Sequence, residues 1–397
     1  MSALLSAITD KSTIHSVHCA IMRGGTSKAI VFAAADLPAD PRSRDQLILA
    51  AFGSPDPRQI DGLGGADPLT SKVAIVGRAT RPDVDVDYCF GQVGIAAATV
   101  NYAVSCGNTA AAVALYAIHE RLVRVADGPA RVRIHCVNNG KQIVATVSTT
   151  NGLPTGNRDA RVPVVPSPDA QVSLEFIDPA GGDTGHLLPS GVPQDEMRTT
   201  RGTAVRFSLV DCGNLYAIIP ADTWGLSGSE SPCELELVPG LRQEIEEIRE
   251  SIAERQLQDA DRTPPATRRA ARLKIAIVGS PQQDVSPTDA TGARRAIDLV
   301  ARIINPERVH KAFAVTGAMC LTAAASIPGT VVADLVRRPL TGGRGVFRIG
   351  HPSGVIASEI VHGFDSGRPT IHSIRIDRSA RRIMDGNVFV SAGVLVP

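Results

Sequence analysis

Two residues in this 397-residue sequence sit in settings that favour proton transfer. Cys106 is followed by Gly107, Asn108 and Thr109, then by an apolar run that extends to Ile118. A run that is apolar on every face predicts a buried helix, not an amphipathic surface one. A cysteine at its start lies on the positive end of the helix dipole, where the thiolate is favoured. The orphan amides beside it suit a carboxylate. Ser105 or Asn108 is expected to cap the helix, and Gly107 lets a ligand come close to the backbone. Lys72 closes a polar loop, Gln59–Ser71, that contains Gly62, Gly64, Gly65, Pro68, Thr70 and Ser71, and it enters the apolar strand Val73–Val76. A lysine drawn into such a strand loses solvation, which lowers its pKa. A thiol and an amine tuned toward neutrality can serve as an acid/base pair. The ordinary alternatives are a packed, inert thiol and an exposed lysine at a strand start.

Further polar groups stand at turns. Arg23-Gly24-Gly25-Thr26-Ser27-Lys28 lies between the strands Ser16–Ile21 and Ala29–Ala33, and is either a solvated hairpin tip or an anion cradle. It lacks the spacing of a phosphate-binding Walker loop, and no Gly-x-Gly-x-x-Gly joins a strand to a helix. A second small-residue helix opens at Thr316-Gly317 and stops before Pro328-Gly329. Cys320 falls inside that helix, where packing is the favoured reading. His351 and Ser353 lie in the turn Gly350–Gly354; His351 reads as a turn residue within reach of a ligand.

The elements that must position these groups follow from periodicity. Arg42–Phe52 predicts a helix closed by Gly53, and Val84, Val86, Tyr88 and Phe90 alternate onto one strand face. Ala130–Val137 and Gln142–Ser148 form a hairpin across Asn139-Gly140, and Asn151–Asp169 reads as a linker. Strands are expected at Leu174–Ile177, Val205–Val210, Tyr216–Ile219, Leu273–Val278, Lys311–Val315, Gly345–Ile349 and Val355–Val361. Helices are expected at Pro239–Gln258 and Arg294–Ile303, and Arg262–Arg272 reads as an exposed loop. Each half thus holds strands, a buried helix with a polar start, and a hairpin. The expected fold class is α+β, with two similar domains, each a curled, mostly antiparallel sheet around a central helix. Residues 1–160 form the first domain with its helix from Cys106, and 161–380 the second with its helix from Gly317. Residues 381–397 are a tail packing back on the first domain, and both helix starts are expected to face one cleft.

Bulk properties narrow the function. Lys and Arg number 41 against 40 Asp and Glu, so nothing points to nucleic acid or a membrane surface. Seven cysteines without paired spacing argue against a disulfide framework or a zinc site and fit a reducing cytoplasm. Met1–His18 has no apolar core of signal-peptide length, and no stretch approaches a membrane span. A cytoplasmic protein is expected, with a homodimer compatible.

Met22–Lys28, Gln59–Lys72, Cys106-Gly107-Asn108, Ile327–Thr330, Gly350–Gly354 and Ala380–Gly386 resemble, in this order, the motifs of the PrpF family. The resemblance implies a diaminopimelate-epimerase-like fold and an isomerase that needs neither metal nor organic cofactor. Family substrates are small unsaturated polycarboxylates: 2-methylaconitate or aconitate for cis-trans or allylic isomerisation, with 4-oxalomesaconate tautomerisation as the alternative. It implies Lys72 and Cys106 as the acid/base pair. Arg23, Gly25, Thr26, Ser27, Lys28, Thr70, Ser71, Gly107, Asn108 and Thr109 then surround the substrate, with Thr316, Gly317, His351 and Ser353 contributed by the second half. Two departures bear on the substrate. Thr109-Ala110-Ala111 stands where relatives commonly have Pro-Phe-Ala, and Met319-Cys320 occupies a place usually given to small residues. An amino-acid epimerase with two cap thiols, the second being Cys320, and a non-catalytic carboxylate-binding protein are the competing readings.

Overall fold

The structure, a computed structural model, describes residues 14–156, 169–255, 273–281, 297–305, 308–336, 338, 340 and 342–391. The expected loop 262–272 and parts of the linker, the 294–303 helix and the tail lie outside them. The chain divides into one unit of residues 1–174 with 378–397 and another of 175–377. These bounds compare with 160 and 380 expected from the sequence.

In the first unit Ile14–Gly24 pairs antiparallel with Ala380–Ser391 on one side and with Ser27–Ala33 on the other. Ser27–Ala33 then runs parallel to Lys72–Arg78, which pairs antiparallel with Val86–Val93. Val86–Val93 lies parallel to Gly128–Cys136, whose antiparallel partner is Lys141–Thr150. Side chains alternate across a strand, so the two sheet faces take different partners. Ile30, Phe32, Val73 and Ile75 pack with Leu47, Ile48, Ala51 and Phe52 of the outer helix Pro41–Phe52. Asp40 caps that helix by accepting from the Ser43 amide, and Gly53 ends it in the left-handed region. The other face meets the central helix Gly107–His119, which packs against strands from both ends of the sheet and is buried from Gly107 to Ile118. Small alanines allow that close, all-round burial.

The second unit repeats this order. Ala204–Asp211 and Leu215–Pro220 pair antiparallel, Leu215–Pro220 and Lys274–Gly279 parallel, and Lys274–Gly279 and Leu299–Ile304 antiparallel. Leu299–Ile304 is then parallel to Arg344–His351, which pairs antiparallel with Gly354–Asp365. Its outer helix is Leu241–Arg255 and its buried one Val315–Ala325. Sheets of mixed strand direction, each with one outer and one buried helix, place the chain in the expected α+β class.

Local expectations fail in five places. Leu299–Ile304 is a strand, not the end of a helix, because apolar residues that fit a helical stripe also fit a fully buried strand. Lys311–Ala314 is irregular, and Val315 already belongs to the helix. Asp195–Arg198 and the long strand Arg368–Ser391 were not expected, since charged residues interrupt both. Cys106, not Ser105 or Asn108, is the N-cap of the central helix, and no side chain caps it.

Candidate active site

The site is built where the strand Lys72–Arg78 begins and the central helix starts. Lys72 lies opposite Gln92 in antiparallel register and beside Ala29 in parallel register. Alternation puts Lys72 on the same face as Ala74 and Val76, toward the central helix. Its side chain is buried, only 8% exposed. The amine Nζ donates to Gln92 Oε1 at 2.7 Å and stands 5.2 Å over the Phe90 ring. Burial holds its pKa below the ordinary lysine range, and charge on the neighbouring Cys106 and Asp67 opposes that fall.

Cys106 is half-buried at the start of the 13-residue helix. Its carbonyl accepts from the Tyr88 hydroxyl at 3.2 Å and from the Ala110 amide at 3.1 Å, which anchors the turn that carries the thiol. Tyr88 is buried on the Lys72-facing side of its strand, and desolvation first, then the Cys106 charge, raise its pKa well above normal. A thiol at a helix N-terminus within electrostatic range of a desolvated amine is suited to exchanging protons with a carbon acid.

The Gly24-Gly25 turn lies directly against this helix start. A Cβ on Gly24 would stand 2.1 Å from the Asn108 carbonyl oxygen, and one on Gly25, at φ 51°, 2.1 Å from Asn108 Oδ1. Only glycines let the hairpin touch the helix here. Buried Asn108 donates through Nδ2 to Thr26 Oγ1 at 3.2 Å and accepts through Oδ1 from Arg378 Nε at 3.1 Å. Arg23 forms an ion pair with buried Asp169 and also donates to the carbonyls of Gly25 and Ser379, so it clamps the turn. Its guanidinium is committed to protein partners.

The loop before Lys72 is likewise internally bonded. Gln59, buried and at φ 48°, accepts through Oε1 from Ser71 Oγ at 2.6 Å and from the Ala66 amide at 2.8 Å. Thr70 Oγ1 donates to the Asp67 carbonyl at 3.1 Å, and the Lys28 amide donates to the Leu69 carbonyl at 2.9 Å. Thr26, Lys28, Thr70, Ser71, Lys72, Gly107 and Asn108 are therefore tied to the hairpin, the loop and the helix start around Cys106. Ser27 and Thr109 are buried in the first unit.

Thr316, Gly317, His351 and Ser353 belong to the second unit. Thr316 is buried and accepts from Asn214 Nδ2 at 3.0 Å. Space at Gly317 is closed by Ile303, Tyr216 and Phe313. His351 stacks on Phe313, with ring centres 6.0 Å apart, and accepts from the Ser353 amide. The Ser353 hydroxyl donates to the Lys311 carbonyl. Cys320 is fully buried, donating toward the carbonyls of Cys212 and Asn214 at 3.1 Å each, and desolvation raises its thiol pKa far above normal.

Sequence reasoning missed Gln92, Asp67, Arg378, Asp169 and Gln59. Gln92 was within reach: it continues the Val86, Tyr88, Phe90 alternation and so places an amide on a buried face. Arg378 and Asp169 had no local signal. Among the described residues, no group of three or more His, Cys, Asp or Glu could hold a metal ion, and no helix is long and apolar enough to cross a membrane.

A family profile described as "PrpF protein" matches residues 14–391. The chain is 40% identical over 381 residues to a 3-methylitaconate isomerase of Eubacterium barkeri, covering 96% of this chain and 98% of that one. It is 39% identical over 377 residues to a (4E)-oxalomesaconate Delta-isomerase of Novosphingobium, covering 94% and 98%. A crystal structure of methylitaconate-delta-isomerase aligns with a TM-score of 0.73 at 38% identity, over 97% of this chain and 98% of that one. A hydroxyproline epimerase structure from Agrobacterium vitis aligns at 0.54 and 14% identity, over 95% and 92%, and shares the fold alone.

Proposed function

The chain belongs to the PrpF family, and from that premise we propose that it isomerises a small unsaturated di- or tricarboxylate by moving a proton between carbons. The observation that carries this reading is a buried, pKa-lowered lysine within charge range of a thiol at the start of a buried helix. One of the pair removes a proton from a carbon conjugated to a carboxylate. The electron pair left behind spreads over a dienolate, whose charge rises on oxygen. Backbone amides at the helix start and the Thr26 and Lys28 side chains supply the stabilising field, a contribution of roughly 3 kcal/mol per donor in well-placed cases. The other member returns a proton. Return at the far carbon shifts the double bond, and rotation before return gives cis-trans isomerisation.

Methylitaconate- or aconitate-type substrates are the first reading. Keto-enol interconversion of oxalomesaconate is the second; the Novosphingobium relative, named an oxalomesaconate Delta-isomerase, supports that substrate. One methyl or one keto group separates them, a difference that one or two pocket side chains decide. Cys320, buried and held by carbonyls, supports this reading over a two-thiol epimerase.

The test is solvent-deuterium exchange into methylitaconate, aconitate, 2-methylaconitate and oxalomesaconate, followed by proton NMR with purified protein. Exchange into at least one is expected, and its loss in Lys72→Ala and in Cys106→Ala. Exchange that survives both substitutions would overturn the assignment. Calorimetric binding without exchange would favour a carboxylate-binding protein.

A further inference from the structure

We propose that Gln92 is a positioning residue for Lys72, holding its amine with a neutral acceptor and so setting the pH at which that amine releases its proton. This rests on Lys72 being the proton carrier proposed above.

The geometry leaves the Gln92 carboxamide one orientation. Nε2 donates to the Ser71 carbonyl at 2.9 Å and to the Pro68 carbonyl at 3.2 Å. Both partners only accept, so the NH2 must face them and Oε1 must face Lys72 Nζ, 2.7 Å away. Gln92 and Lys72 are directly opposed across the strand pair, where side chains on one face meet. The same amide thus pins the loop that delivers Lys72 and receives the Lys72 amine.

Neutrality of the acceptor matters. An amide oxygen accepts from both amine and ammonium and favours the ammonium only modestly, whereas a carboxylate in this place would favour it strongly. The charged or titratable groups around Nζ come from several elements. Asp67 lies on the loop, Cys106 at the helix start, and Tyr88 on the facing strand with its hydroxyl directed to the Cys106 carbonyl. Lys28, on the hairpin, approaches the same loop at Gly65. Phe90 adds a ring face under the amine. Gln92 contributes orientation and a modest preference for the ammonium without adding charge, on top of the larger effects of burial, Cys106 and Asp67.

Lys72 is one of six lysines, so a protein carrying 15N-labelled lysine can report its titration by NMR, with the signal assigned through its loss in Lys72→Arg. Gln92→Glu places a carboxylate beside the amine and is expected to raise the Lys72 midpoint by about one pH unit or more. Gln92→Met removes the acceptor at similar volume and is expected to lower it. The Lys72-dependent limb of the turnover pH profile should move in the same two directions. A residue that only braced the loop would reduce turnover or thermal stability in both variants while leaving the midpoint in place; unchanged midpoints, within roughly 0.2 unit of the parent in whichever variants fold, overturn the proposal. If the amine titration moves and the turnover profile does not, Gln92's hold on Lys72 stands and Lys72 as the proton carrier falls.

Discussion

The two units run through the same order of strand pairings and each buries one alanine-rich helix, yet the two helix starts differ in chemistry. In the first, the N-cap is Cys106, and a buried lysine at the start of a strand lies within its field. In the second, the N-cap is Ala314, and the lysine at the corresponding strand start, Lys274, lies over the Tyr216 ring. The thiol of the second unit, Cys320, sits well inside its helix, held by backbone carbonyls. Displacing a cysteine by less than two turns from a helix cap converts a group suited to proton transfer into core packing. The dipole acts within the first turn, and burial against carbonyls favours the protonated thiol.

The largest contrast is expected in turnover. Cys106→Ala and Lys72→Ala should each lower isomerisation by about 10³-fold, within the range of general acid-base effects, while Cys320→Ala stays within about twofold. Steady-state assays on the three variants decide it, and comparable losses at Cys106 and Cys320 would remove the distinction. Thiol labelling probes the same contrast chemically. Iodoacetamide should modify Cys106 and the exposed Cys233 in the folded protein and spare buried Cys320 and Cys19, as mapped by peptide mass spectrometry. Desolvation, with Asp385 nearby, lifts Cys19 to about 11, which reinforces its inertness.

Packing at the two helix starts should differ next. Gly24→Ala sets a methyl 2.1 Å from a backbone oxygen, whereas Gly317→Ala meets side-chain atoms of Ile303, Tyr216 and Phe313 at 3.0–3.2 Å. Thermal unfolding should show the larger loss at Gly24, upward of about 3 kcal/mol, against roughly 1 kcal/mol at Gly317. The smallest effect is on alkaline stability. Folded Lys72 binds its proton less tightly than the unfolded chain, so Lys72 adds stability as pH rises toward 10.5. Cys320 does the reverse: its raised thiol pKa favours the folded state below 9.0, and that contribution is lost above it. Between these values the two slopes oppose each other, so the pH slope of stability from urea melts should drop in Lys72→Met and increase in Cys320→Ala, each by at most about 1.4 kcal/mol per unit.

Much of this was legible in the residues. The apolar run after Cys106 could only be a buried helix, the Gly24-Gly25 and Asn139-Gly140 turns fixed two hairpins, and the fold class followed from strands and helices recurring in each half. Leu299–Ile304 was misread because a short apolar run fits both periods, and tertiary pairing decides between them. Arg23 looked like a ligand for substrate carboxylates from its neighbours, but residue 169, far along the chain, claims its guanidinium. The types of the reacting groups, a helix-cap thiol and a strand-start amine, are local properties, so the sequence contained them. Their proximity, the desolvation of Lys72 and the orientation Gln92 imposes depend on strand register and on burial by distant residues. Only the folded chain supplies those, because pKa shifts and hydrogen-bond directions arise from neighbours that sequence spacing does not reveal.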